Sequence, residues 1–108
     1  SGSLLFASEI LSENEIFTFF KSSLSNDKSY TLDKVTLHSV REIEYPSGWA
    51  AYFITLDMKA RARDINIKEV IFSDGVAIVK DFTMIKGVKS LKNELLKDWD
   101  DNIKKGDK

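Results

Sequence analysis

Few residues in this chain have the types and the spacing that catalytic chemistry requires. The sequence has 108 residues, with no cysteine and one histidine. Without cysteine, the chain has no thiolate nucleophile, no disulfide and no cysteine-ligated metal site. His38 lies in a segment of strand pattern, and no arrangement of partner residues marks it as part of a nucleophilic triad. We therefore interpret His38 as an ordinary strand residue and predict that this chain is not itself an enzyme.

Acidic residues near the C-terminus have part of the spacing of a calcium-binding loop. Asp98, Asp100 and Asn102 occupy alternate positions, as the first three ligands of such a loop do. The glycine that should follow is Ile103, and the position of the closing glutamate falls beyond Lys108. A helix accounts better for Trp99 and Ile103. We predict no metal and no other cofactor.

Basic and aromatic residues share one strand region, an arrangement that suits stacking of single-stranded nucleic acid. The basic residues are Lys59, Arg61, Arg63 and Lys68, and the aromatic ones are Trp49 and Phe53. The two groups occupy opposite ends of the strand, and the formal net charge of −1 gives no bulk attraction to nucleic acid or to an anionic membrane. We predict a solvated basic face, no nucleic-acid partner and no membrane insertion. Trp49 and Phe53 stay as a candidate surface for a substrate or partner protein.

A helix is predicted near the N-terminus by the capping box at residues 12–15, Ser-Glu-Asn-Glu. In this motif the serine and the glutamate each accept a hydrogen bond from the other's backbone amide. Apolar residues then recur at helical spacing and form one wide face, made of Ile16, Phe17, Phe19, Phe20 and Leu24. Such a face stabilises a helix mainly through burial. We predict that Phe20 packs in a core with Ile54 and Leu56 of the strand region.

The segment 31–84 has an almost unbroken β pattern. A break of parity near residues 38–40 predicts a bulge or two short strands. Turn residues at 45–49 precede a long strand that runs to Arg63, with apolar even-numbered positions and with polar odd-numbered positions from Asp57 onwards. Both faces are apolar near Trp49 and Phe53, which favours cover on both sides of the sheet there.

The β pattern continues through two more strands and is followed by a helical stripe. We predict a reversal at residues 63–64, a strand over 65–72, an Asp-Gly hairpin turn at 73–75, and a final strand with Val76, Ile78, Phe82 and Met84 on its inward face. Ser90 then caps a helix with one apolar stripe, formed by Leu91, Leu95, Trp99 and Ile103.

This order of elements predicts an α+β fold of cystatin-like type. An N-terminal helix packs on a curved antiparallel sheet of three to four strands, and a C-terminal linker helix follows. We interpret residues 1–3 as an expression scar, residues 4–88 as the domain, and residues 89–108 as a linker helix toward a further domain. The apolar run at 4–7 is interpreted either as the end of a secretory signal or as a segment that packs on the domain.

Four stretches carry a resemblance to a known family. They are residues 34–40 (KVTLHSV), 48–54 (GWAAYFI), 70–79 (VIFSDGVAIV) and 87–92 (GVKSLK). In these stretches the chain resembles the N-terminal dimerisation domain of DsbC/DsbG-like periplasmic disulfide isomerases. A glycine of that family shortly after the Asp-Gly turn has Asp81 near its place here.

The resemblance implies a noncatalytic, periplasmic homodimerisation module. It would hold two thioredoxin domains facing one another and shape a cleft for unfolded protein substrates. In that family the strand after the Asp-Gly turn pairs with its copy in a second subunit, which implies a dimer interface at Val79, Lys80, Asp81 and Phe82. The alternative is a cystatin-like or chaperone-like binding module that is complete without an attached enzyme.

Overall fold

The structure, a computed structural model, describes residues 10–105. It begins with one helix, continues through a sheet and ends in a small hairpin and two short helices. The elements are α1 (Glu13–Ser23), β1 (Thr31–Glu42), β2 (Ala50–Ala60), β3 (Arg63–Ser73), β4 (Ile78–Val79), β5 (Thr83–Met84), β6 (Lys89–Ser90), α2 (Leu91–Lys97) and α3 (Trp99–Lys105). The predicted α+β fold, with a helix on an antiparallel sheet, is confirmed. The positions interpreted as a scar and a signal remnant lie outside the described residues.

The main sheet is antiparallel and has the order β1-β2-β3-β4. β1 is one continuous strand, and its register against β2 shifts between Leu37 and Ser39 and again between Leu32 and Lys34. The predicted bulge is therefore present at His38. β2 and β3 pair without any shift, from Ala60 opposite Arg63 to Ala50 opposite Ser73.

Both faces of the sheet are covered at one end. On one face α1 buries Ile16 and Phe20 against the even-numbered residues of β2, including Ile54 and Leu56, so the predicted core is confirmed. The capping box begins this helix as predicted, because Glu15 N donates to Ser12 Oγ at 3.1 Å and Ser12 N donates to a Glu15 carboxylate oxygen at 2.9 Å. The cap sets where the helix begins, and its apolar residues determine which face meets the sheet.

On the opposite face, α2 and α3 pack over the apolar half of the sheet. Ala51, Phe53, Val70, Phe72 and Trp99 form a second buried cluster. Three residues of the predicted stripe, Leu91, Leu95 and Ile103, pack against it together with Leu96. The polar half of this face, from Asp57 to Lys59 on β2, is half-buried to exposed. The predicted change from a doubly covered to a singly covered strand is confirmed.

Three boundaries differ from the prediction. The reversal falls at Arg61 and Ala62, which both have positive φ (54° and 68°), two residues before the predicted place. The predicted final strand is wrong: only Ile78 and Val79 pair with β3, and Val76 is 92% exposed rather than inward. The single predicted C-terminal helix is two helices, α2 and α3, which meet at Asp98.

No helix within residues 10–105 is long and apolar enough to cross a membrane.

Candidate interaction surfaces

The segment 79–82, which the family resemblance marks as a dimer strand, is used largely within the chain. Val79 and Phe82 pack against the second buried cluster. The Phe82 ring lies edge-on to Trp49 and to Phe72, with centroid distances of 5.3 and 5.2 Å. Lys80 is exposed. A dimer interface at Val79, Lys80, Asp81 and Phe82 stays a prediction, and the residue most available for it is Lys80.

Asp81 organises the start of α2. Its carboxylate accepts hydrogen bonds from the amides of Phe82 (2.7 Å) and Lys92 (2.9 Å) and from the Ser90 hydroxyl (2.5 Å). Ser90 in turn accepts from Asn93 N at 3.1 Å as the N-cap of α2, which confirms the predicted cap. Partial burial acts to raise the pKa of Asp81, but the hydrogen bonds from Ser90, Lys92 and Phe82 and the charge of Lys92 together hold it below the ordinary value.

Asp81→Asn should lower the free energy of unfolding by about 1 kcal/mol at pH 7, because a neutral amide accepts hydrogen bonds more weakly than the carboxylate does. A carboxylate with a lowered pKa stabilises the fold above its unfolded pKa of about 3.9, and this contribution is lost as the pH falls through the folded pKa. The difference in the free energy of unfolding between the two proteins should therefore be smaller at about pH 2 than at about pH 5. Urea unfolding at both pH values measures it. The exposed Asp101→Asn serves as the control, and an equal loss in that variant would contradict a specific role for Asp81.

Trp49 and Phe53 do not form one surface. Phe53 is fully buried (0% exposed) because α2 and α3 cover it, so the expectation of a partner surface at Phe53 is wrong for this structure. Trp49 is half-buried and stacks edge-on against Phe82. Sequence alternation placed Phe53 on the correct face of β2 but could not show which element covers that face.

His38 lies at the bulge of β1 and contacts Thr55 and Trp99 on the same face as Phe53. Its Nε2 is 2.9 Å from Thr55 Oγ1, and its ring is edge-on to Trp99 at 5.2 Å. Lys68 lies over the Trp99 ring at 5.1 Å and 3.8 Å from the Asp100 carboxylate. Asp100 and Asn102 lie on α3, and no cluster of potential metal ligands occurs among residues 10–105. The helical interpretation of the acidic run is confirmed.

Large apolar side chains are exposed on several loops. Tyr45 in the β1–β2 loop and Val76 in the β3–β4 loop are exposed, and both loops leave the same end of the sheet because Glu42, Ala50 and Ser73 form one row. Ile85 and Val88 are exposed at the tip of the β5–β6 hairpin. Val88 has a φ of 48°, which is strained for a β-branched residue. Scattered exposed apolar side chains are common, but a strained apolar loop tip is a feature of binding loops.

Among the described strands, β3 has a long unpaired edge, as does β1, the outer strand on the other side of the sheet. β4 pairs only with Phe72 and Ser73, and no strand within residues 10–105 pairs with the same edge from Arg63 to Ile71. Such an edge presents free backbone donors and acceptors to a second strand. The edge is free because β4 is only two residues long. The turn at Arg61 and Ala62 leads into β3, and no glycine or asparagine marks that turn in the sequence.

Glutamate side chains occupy one backbone amide on each edge of the sheet. Leu37 N on β1 donates to Glu13 Oε2 at 2.7 Å, and Val70 N on β3 donates to Glu69 Oε1 at 3.0 Å. On the β1 side the glutamate comes from α1, which therefore lies along that edge. No backbone amide from Asp64 to Lys68 donates to a carboxylate within residues 10–105, although the Asn66 side chain donates to Asp57 Oδ1 at 2.7 Å.

Comparison with known proteins found no matching family model and no similar curated protein or solved structure.

Proposed function

We propose that this domain is a noncatalytic homodimerisation module, in the manner of the N-terminal domains of DsbC/DsbG-like isomerases. In that role two copies associate in the periplasm, hold thioredoxin domains of the parent protein at a fixed separation and leave a cleft for unfolded substrate. The sequence stretches quoted above support this assignment. The α+β architecture, with a helix on an open antiparallel sheet, is compatible with it.

One observation carries the proposal more than any other: the sheet ends in a long unpaired strand edge. An open sheet can pair edge to edge with its own copy, because an antiparallel pair of identical strands is related by a two-fold axis. The opposite edge of the sheet is partly blocked by α1 through the Glu13–Leu37 hydrogen bond. The edge of β3 is therefore the more accessible of the two.

A self-contained binding module is the second candidate. The exposed loop residues favour it, since Val76 and Ile85 are 92% and 89% exposed and a partner protein would cover them. In this case the domain acts as a monomer whose loops at one end of the sheet and whose hairpin tip contact the partner. Such a module needs no thioredoxin domain in the parent protein.

Sedimentation velocity of the domain at tens of micromolar distinguishes the two candidates. The dimerisation module should sediment as a species of about twice the 12.3 kDa chain mass. A clean monomer at that concentration would reject the dimerisation module and favour the binding module. The parent gene gives an independent test, because a Cys-x-x-Cys thioredoxin domain downstream of Lys108 is expected only for the first candidate.

A further inference from the structure

We propose that two copies of this chain pair through the free edge of β3, antiparallel, with the two-fold axis at Asn66. The inference rests on the proposed function and names its interface, which differs from the segment 79–82 that the family resemblance implies. The segment that pairs is residues 63–69, Arg-Asp-Ile-Asn-Ile-Lys-Glu. Its backbone, its charges and its apolar residues each support this register.

The backbone of β3 presents its free groups at alternate residues. Val70 N donates to the Glu69 side chain and therefore faces away from β2. Since the β2–β3 register is unshifted and orientation alternates along a strand, the backbone groups of Asp64, Asn66 and Lys68 face the same way. A two-fold axis at Asn66 lets these residues form a regular antiparallel ladder with their copies.

The charges of the segment are self-complementary about Asn66. In this register residue 64 faces residue 68 of the second copy, so that each Asp64 lies opposite a Lys68. Residue 63 faces residue 69, which places each Arg63 opposite a Glu69. Opposite charges directly across an antiparallel pair stabilise it and like charges destabilise it. Lys68 and Arg63 are exposed and can reach across the edge.

The apolar residues match in the same register. Ile65 faces Ile67 of the second copy on the face of the sheet that α1 covers. Ile65 and Ile67 lie on this face because they pair with Met58 and Leu56, which belong to the core under α1. Ile67 is 37% exposed in the single chain. Pairing would extend the apolar face across the two-fold axis and reduce that exposure.

Neighbouring registers lose these matches. With the axis at Ile65, Arg63 would face Ile67. With the axis at Ile67, Asp64 would face Val70 and Ile65 would face Glu69. Register is set wherever one face is apolar and the other charged, so the pattern selects Asn66 as the centre. Two existing contacts must adjust: Glu69 is paired with Lys92 at 3.0 Å, and Lys68 approaches Asp100 at 3.8 Å.

A cysteine cross-link tests the axis directly, because the chain has no cysteine of its own. In Asn66→Cys the two cysteines would face each other in a hydrogen-bonded pair, with Cα atoms about 5.5 Å apart, which lies within the range of a disulfide. Oxidation at tens of micromolar should give a covalent dimer, and the dimer should be absent when oxidation is done in denaturing urea. Lys80→Cys is the matched control, since it is also exposed and marks the segment 79–82.

Each outcome separates the interface from the function. A cross-link in Asn66→Cys alone supports the proposed edge. A cross-link in Lys80→Cys alone, or a dimer by sedimentation that neither variant cross-links, overturns the β3 interface and leaves the dimerisation module standing. A monomer by sedimentation overturns both.

A charge exchange tests the register. Asp64→Lys places lysine opposite Lys68 twice in the dimer and should raise the dissociation constant of the dimer at least about tenfold. The double variant Asp64→Lys with Lys68→Asp should restore association. The same charge change at the exposed Asp27 should leave the constant unchanged. If the double variant stays as weak as the single one while both remain folded by circular dichroism, the proposed register is wrong.

Discussion

Phe20→Ala should lower the free energy of unfolding by about 3–5 kcal/mol, as expected for a phenylalanine removed from a packed core. Phe20 is 6% exposed and belongs to the buried cluster that joins α1 to Ile54 and Leu56. Its ring also lies edge-on to Phe19 at 5.0 Å. The substitution removes one of the two buried side chains, with Ile16, that hold the helix on the sheet, and urea unfolding measures the loss.

Thr18→Ala is the control for this experiment, because Thr18 is exposed on the same helix. Its side chain only bonds the carbonyl of Asn14 one turn earlier. Surface changes of this kind usually shift stability by about 0.5 kcal/mol or less. A loss below about 1 kcal/mol for Phe20→Ala would mean that α1 does not seal the core.

Trp99→Ala should cost a similar amount, about 3–5 kcal/mol, on the opposite face of the sheet. Trp99 is 6% exposed and packs in one cluster with Phe53, Val70 and Phe72. Truncation of the side chain opens the cover over a sheet face that is largely apolar at this end. Thermal and urea unfolding should both report the loss, and dye binding to exposed apolar surface should rise.

Trp99→Phe is the matched control for this prediction. Trp99 Nε1 is buried without a hydrogen-bond partner within residues 10–105, so Trp99→Phe removes no hydrogen bond and should lose much less stability than Trp99→Ala. Cutting the chain after Gly87 removes Leu91, Leu95 and Ile103 as well, and the remaining domain should be folded but less stable. If the truncated chain keeps its melting temperature, the C-terminal segment is a free linker.

Local chemistry allowed several elements to be predicted from the sequence. The capping box at Ser12 and Glu15 and the cap at Ser90 depend on residues within one helical turn. The Asp-Gly turn also depends on near neighbours, because Asp74 accepts hydrogen bonds from the amides of Val76 and Ala77, both at 2.9 Å. The alternation along β2 also follows from the sequence, since a strand has a period of two and each residue can face only one of two sides.

Contacts between distant segments decided the rest. Arg61 and Ala62 adopt positive φ although neither residue favours it, because the paired strands β2 and β3 impose the turn that joins them. Phe53 was recognisable as apolar, but only the tertiary structure shows α2 and α3 covering it. Alternation placed Asp81 in a strand, yet its carboxylate accepts a hydrogen bond from the amide of Lys92, 11 residues later in the sequence. The sequence determined by itself what nearest neighbours can satisfy; the tertiary structure decided which sheet face is covered and which edge stays open, because these depend on groups brought together by the fold.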